Sequence, residues 1–273
     1  MTPHPTPDTV QTGEATSELV AVERTGFLTL ISLTRPHKYN AITQDMYAVL
    51  AEALLSADRD PEVRAVILTG SGAAFSAGND LHDFALDPDG LAPVQQFLRA
   101  IAGIAVPVIA AVNGLAVGVG VTMLLHCDLV YAAPTATFQT PFVDIGLVPE
   151  ASSTLLLPQI VGARRAAELL FAGRKLTAAE AASWGLINEV SDQPLDQAIA
   201  VGAALAAKAP EALRRTKTLI RSTTLDVLAR MREEESAMAA QLESVEFTEV
   251  LAARRDKRIP VFPPRRTAAT AQR

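Results

Sequence analysis

The stretch PVIAAVNGLAVGVGVTMLLHC, Pro107 to Cys127, decides the fold. From Ala100 to Cys127 the chain carries no Asp, Glu, Lys or Arg, and a membrane span needs only about 20 such apolar residues. Gly103, Pro107, Asn113, Gly114, Gly118 and Gly120 nevertheless punctuate the run, and each break would leave backbone groups unsatisfied in lipid. A buried strand, a glycine turn and a buried helix account for the same residues without that cost. The chain therefore reads as soluble, with no membrane partner.

Working outward, FLTLISL (Phe27 to Leu33), RAVILTG (Arg64 to Gly70), PVIAAV and DLVYAA are short apolar runs rich in β-branched residues, the pattern of buried strands. Met46, Val49, Leu50, Ala53 and Leu54 recur at helical spacing after a capping residue, Thr43, which gives the order strand, helix, strand. In LTAAEAASWGLINEV, Thr177 and Glu180 form a capping box, and Gly185 is placed to end that helix before a strand LINEV. The second half is mostly helical: LDQAIAVGAALAAKA, EALRRTKTLIRS and one long charged helix from about Leu225 to Arg254. The expected organisation is a disordered tail 1–18, an α/β core 19–200, a helical region 201–265 and a short tail 266–273.

Composition limits what such a chain does. Of 273 residues, 49% are hydrophobic and 20% charged, which suits a globular core. The net charge of -6 disfavours nucleic acid as the main partner. The single cysteine, Cys127, excludes an intrachain disulfide, and no Cys/His spacing suits a metal. No secretory signal opens the chain and no S-K-L address closes it, so the cytoplasm is the expected location. His82 and His126 lack the helical partners that ligand sets show and read as ordinary histidines.

Generic catalytic motifs are missing: GLAVGVGVT has Thr122 where a dinucleotide fingerprint needs glycine, and there is no P-loop and no G-x-S-x-G. Two glycine turns are more informative. AAFSAGNDL (Ala73 to Leu81) and NGLAVGVGVTML (Asn113 to Leu124) each follow a strand, where small residues let a ligand approach backbone N–H groups. Glu150 is the only charge between Ile145 and Ala163. From the residues alone, an acid between Pro149 and ASSTLLLPQIV fits the first turn of a helix, with a general base as the alternative.

LTRPHKYNAI, AFSAGNDL, AAVNGLAVGVGVTMLLHCDLVYAAPTATF, LTAAEAASWGLINEV and EFTEVLAARRDKRIPVF together resemble the crotonase (enoyl-CoA hydratase/isomerase) superfamily, in order from about residue 19 to 263. The resemblance implies an α/β fold with a ββα spiral core, a helical C-terminal trimerisation region, and a homotrimer or hexamer. It implies an acyl-CoA thioester as substrate, with CoA as part of that substrate and no separate cofactor. The backbone amides of Ala77 and Val119 become an oxyanion hole, and the substrate-binding set becomes Lys38, Ala41, Ser76, Ala77, Gly78, Asn79, Asp80, Leu81, Gly118, Val119 and Phe142.

Where the superfamily's hydratases carry two glutamates, this chain has Thr122 and Phe142, which cannot act as a carboxylate pair on water. SAGNDL, NGLAVGVGVT, ATFQTPF and PEASS instead resemble the peroxisomal-type Δ3,Δ2-enoyl-CoA isomerases, whose single base falls at Glu150. One carboxylate suffices to move a double bond from C3 to C2, by taking a proton at C2 and returning one at C4. Apolar neighbours Leu147, Val148, Leu155 and Leu156 would raise its pKa. Asp144 is the nearest rival acid, Lys257 a second candidate for a CoA phosphate, and Phe262 a packing residue. Two other readings are a different acyl-CoA transformation, including weak hydration, and a non-catalytic acyl-CoA-binding scaffold.

Overall fold

The apolar runs form strands because each is covered on both faces, a setting that favours continuous β-branched sequence. The computed structural model describes residues 18–80, 91–221 and 224–262. Most of both expected tails, together with Leu81, His82 and Asp83, lies outside them. β1 (Val20–Thr25) and β2 (Leu28–Leu33) make an antiparallel hairpin pairing Val20 with Leu33 and Thr25 with Leu28. β3 (Ala65–Gly70), β5 (Val108–Val112), β7 (Leu129–Ala132) and β10 (Glu189–Val190) follow in parallel, in the order β1-β2-β3-β5-β7-β10. β4 (Ala74–Ser76), β6 (Leu115–Val117), β8 (Thr137–Gln139) and β9 (Leu176–Thr177) form a second sheet in that order.

Each turn of the chain thus places one strand in the large sheet and the next in the small one, as β3 then β4, β5 then β6, β7 then β8. This is the ββα spiral that the resemblance implies. Helix α1 (Gln44–Arg59) packs on α2 (Ala92–Gly103), with the Tyr47 and Phe97 rings 5.5 Å apart. Thr43 caps α1 by accepting the Met46 N–H at 3.3 Å. Short helix α3 (Val119–Thr122) follows β6; α4 (Ser153–Val161), α5 (Ala163–Ala172) and α6 (Ala178–Trp184) come next. The capping box at Thr177 and Glu180 is present, and Gly185 closes α6 in the left-handed conformation.

The opposite face of the large sheet is covered by α7 (Pro194–Ala206), whose Leu195, Ala198, Val201 and Leu205 meet Leu28, Ile67 and Ile109. This helix runs across residue 200 and lies against the sheet. The C-terminal part continues with α8 (Pro210–Ile220), α9 (Thr224–Leu242) and α10 (Val245–Arg255). The one long helix expected from about Leu225 to Arg254 is therefore two. Ser244 accepts the Phe247 N–H at 3.0 Å and starts a new helix, a competing side-chain bond that Ser readily offers. The expected strand LINEV shrinks to Glu189–Val190, since the Leu186 N–H returns to the Ala181 carbonyl at 2.9 Å and closes the preceding helix. Among the described residues no helix is long and apolar enough to cross a membrane.

Asn40 ties the first turn of the spiral to the second. It is fully buried with φ 55°, its Oδ1 accepts the Arg35 N–H at 2.9 Å, and its Nδ2 donates to the Ser71 and Ala74 carbonyls at 2.9 and 2.8 Å. Asn40→Ala would strand these groups and force alanine into the left-handed region. We expect a loss of about 2–3 kcal/mol in thermal or urea unfolding. Asn40→Gly, which tolerates the dihedral, is expected to recover only part of that loss.

Candidate active site

Two strand ends meet at the site. β4 and β6 pair side by side, Ser76 opposite Ala116, so the turns that leave them are in contact. A Cβ on Gly78 (φ 92°) would fall 2.9 Å from the Val117 carbonyl oxygen, and one on Gly120 would fall 2.6 Å from the Ser76 carbonyl oxygen. Glycine is required at both positions by this close approach, not by chance of composition. The Ser76 hydroxyl donates to the Asn40 carbonyl at 2.9 Å and accepts the Gly78 N–H at 3.1 Å, which pins the first turn. The Gly118 N–H is taken by the Gln139 carbonyl at 2.9 Å.

The backbone accounting corrects one sequence expectation. The Ala77 N–H donates to the Tyr39 carbonyl at 2.8 Å and is spent on the fold. Two residues later, Ile42 bridges the chain by donating to Gly78 O at 2.8 Å and accepting from Asp80 N at 2.9 Å, which leaves the Asn79 N–H on the other side. Among the described residues the Asn79 N–H has no acceptor, nor does that of Val119, the first residue of its helix. The donor pair available to a ligand oxygen is therefore Asn79 and Val119. Asn79 is anchored as well, because its Oδ1 accepts the Tyr47 hydroxyl.

The third turn brings Glu150. It does not lie in the first turn of a helix, since Ala151 and Ser152 intervene at φ 59° and 57° and α4 begins at Ser153. Glu150 Oε1 accepts the Thr122 hydroxyl, while Oε2 is enclosed with no hydrogen-bond partner among the described residues. A lone buried oxygen of this kind is unusual in a native structure. Burial pushes the Glu150 pKa up to about 8; the Thr122 hydroxyl pulls against this, and the charge of Glu234 adds to it. The Tyr47 phenol is likewise held well above its ordinary range by burial and by the Glu150 charge. Tyr47 thus bonds the Asn79 turn and lies within electrostatic reach of the Glu150 carboxyl.

His126 holds the same loop from below. Its ring is buried, Nε2–H donates to the Ala151 carbonyl at 2.7 Å, and burial pushes its pKa down to about 4, so the ring is neutral. Among the described residues no cluster of His, Cys, Asp and Glu could hold a metal.

The remaining sequence candidates are scattered by comparison. Lys38 is exposed on the short turn Pro36–Lys38, and Ala41 is half-buried beside it. Asp80 is committed to Arg35 at 2.6 Å. Phe142 is 5% exposed and packs in the main hydrophobic core. Asp144 is exposed, with its carboxylate beside Gly173 and outside the Glu150 cluster. Lys257 is exposed after α10, and Phe262, expected to pack, is 49% exposed in the single chain. Leu81 lies outside the described residues. Sequence reasoning missed Tyr47, His126 and Glu234, which read as core or solvent residues of their helices.

Residues 23–264 match the family model described as Enoyl-CoA hydratase/isomerase. The chain is 37% identical over 251 residues to the 1,2-epoxyphenylacetyl-CoA isomerase of Escherichia coli strain K12, covering 87% of this chain and 95% of the relative. It is 37% identical over 229 residues to enoyl-CoA delta isomerase 2 of Rattus norvegicus, covering 80% of this chain and 58% of that longer relative. In structure it is similar to an enoyl-CoA hydratase/isomerase from Pseudoalteromonas atlantica T6c, with a TM-score of 0.87 and 42% identity, over 90% of this chain and all of the other.

Proposed function

We propose that this chain, which belongs to the enoyl-CoA hydratase/isomerase family and is an enzyme of that family, moves the double bond of a 3-enoyl-CoA to the C2 position. Glu150 takes a proton from C2 and returns one to C4. The thioester oxygen gains negative charge in the dienolate and is received by the amides of Asn79 and Val119; one such donor is commonly worth about 2.7–4 kcal/mol. The single observation that carries the reading is a carboxyl with one enclosed oxygen that has no partner among the described residues, held by Thr122 in the helix whose first amide, Val119, is likewise unpaired. Thr122 supports it by holding the other carboxyl oxygen, at the position where the superfamily's hydratases carry an acid.

The test is to mix the purified protein with 3-enoyl-CoA and, separately, with 2-enoyl-CoA, and to follow the absorbance of the conjugated thioester. Growth from the 3-enoyl substrate supports isomerisation. Loss from the 2-enoyl substrate alone means hydration, and no change with either, despite measurable binding, means a scaffold.

The proton-accepting form of Glu150 is the ionised one, so kcat/KM for isomerisation is expected to rise with pH through about 8 and level off above it. A rate already flat across neutral pH, with its limb in the ordinary carboxylate range, would rule out the buried base.

The same reading takes the working protein as a homotrimer or hexamer. Leu219, Ile220, Leu225, Val245, Ile259 and Val261 are all more than two thirds exposed in the single chain and all lie in its C-terminal part, side chains of the kind that an interface covers. Sedimentation analysis is expected to show an assembly that Ile220→Glu weakens; a monomeric wild type would refute it.

A further inference from the structure

Glu234, on α9, is a buried carboxylate that the proposed reaction does not use, and it faces the Glu150 loop. Its Oε2 accepts the Ser152 N–H at 2.6 Å, and its Oε1 accepts the Thr154 N–H at 3.0 Å together with the Thr154 hydroxyl. The Ser152 hydroxyl donates to the Val227 carbonyl on the same helix at 2.8 Å. The loop held this way contains Ala151 and Ser152, both in the left-handed region that non-glycine residues avoid. A conformation of that kind persists only where its surroundings enforce it.

We propose that Glu234 is a positioning residue for Glu150: it clamps the strained loop from the C-terminal helical region and sets a second, better hydrogen-bonded carboxyl against the reacting one. The inference rests on reading Glu150 as the base. Three donors face Glu234 whereas one hydroxyl faces Glu150, so of the two carboxyls Glu234 is the better placed to hold negative charge. The burial and charge effects on Glu150 run the same way.

The charged groups around Glu234 are few. Burial raises the Glu234 pKa, and the Thr154 and Ser152 donors, with Arg230 one turn back on the same helix, pull against it. On α2, Arg99 is paired with Glu235 at 3.2 Å. The helix α4 carries no charged side chain, and on α10 Glu249 is engaged by Arg258. Around Glu150 the titratable groups are Tyr47, kept protonated, and neutral His126 behind Ala151.

The test is Glu234→Gln in the full chain, which keeps the shape and one acceptor but removes the charge. The rising limb of the isomerisation pH profile is expected about one unit lower than in wild type, the size of a like charge acting at short range through protein. The proton affinity of Glu150 is also read without turnover, from its carboxylic-acid C=O infrared band, identified by its loss in Glu150→Gln. That band is expected to vanish about one unit earlier in Glu234→Gln. If wild type fails to isomerise, the proposed function falls while the infrared titration still decides this inference. Activity reduced equally at every pH, with limb and band unmoved, would mean a merely structural role and overturn it. Should Glu234→Gln fail to fold, Thr154→Val removes one donor from Glu234, and a smaller shift in the same direction is expected; no shift would overturn the proposal.

Discussion

Replacing Glu150 with Gln is expected to lower isomerisation at least about 10²-fold, the usual range for a positioned acid–base group, because Glu150 is the described carboxyl that accepts the Thr122 hydroxyl in the helix opened by Val119. Gln retains an acceptor for the Thr122 hydroxyl, so the fold is expected to survive. A linked effect has the opposite sign. The folded-state pKa of Glu150 is raised to about 8 from an ordinary 4.5, so between those values the folded chain holds a proton that the unfolded chain has released. Wild-type stability therefore falls as pH rises through that window, and the fall is complete above about 8. Glu150→Gln escapes it and is expected to gain in melting temperature relative to wild type between pH values of about 6 and 8.5, a stability gain at a functional site. Turnover measured beside melts at both pH values checks the pair, and wild-type turnover in the variant would end the assignment.

Lys217→Met is expected to have the largest effect on stability. Lys217, 7% exposed, donates from Nζ to the Val106 carbonyl at 2.7 Å and pairs with Asp128 at 2.7 Å. Asp128 also accepts the Val108 N–H at 2.7 Å and pairs with Arg221 at 3.0 Å. This cluster fastens helix α8 to the starts of β5 and β7. Burial pulls the Lys217 pKa down and the Asp128 charge holds it up. Removing the ammonium leaves a buried carbonyl and a half-compensated carboxylate, a loss of about 3–5 kcal/mol. Urea unfolding of the assembled protein measures it. Adding Asp128→Asn is expected to cost less than a second independent loss. A change below about 1 kcal/mol would mean the pair is solvated, as surface pairs are.

How much of this was legible beforehand depended on the range of each interaction. Strands β2, β3, β5 and β7 and the caps at Thr43, Thr177 and Gly185 follow from residues close in sequence, and the structure agrees with them. The break at Ser244 was also local, but the charged periodicity on both sides masked it. The site was legible as three turns, and Glu150 does meet Thr122. Which amide stays unpaired was not legible, because the Ala77 N–H is consumed by Tyr39, thirty-eight positions away in the chain. Tyr47, on the same apolar face as Met46 and Leu50, looks like core until its hydroxyl finds Asn79. Glu234, in the charged run REEES, looks like solvent until α9 folds back on the loop.

The clamp on Ser152 and Thr154 has a bearing on how the protein is born. Every strand of both sheets lies before residue 191, whereas the carboxylate that steadies the reactive loop arrives at 234. A nascent polypeptide still short of that point carries a complete scaffold with an unfastened loop. If Glu150 is the base, a chain cut short of Glu234 is expected to lack the fastening of its reactive loop.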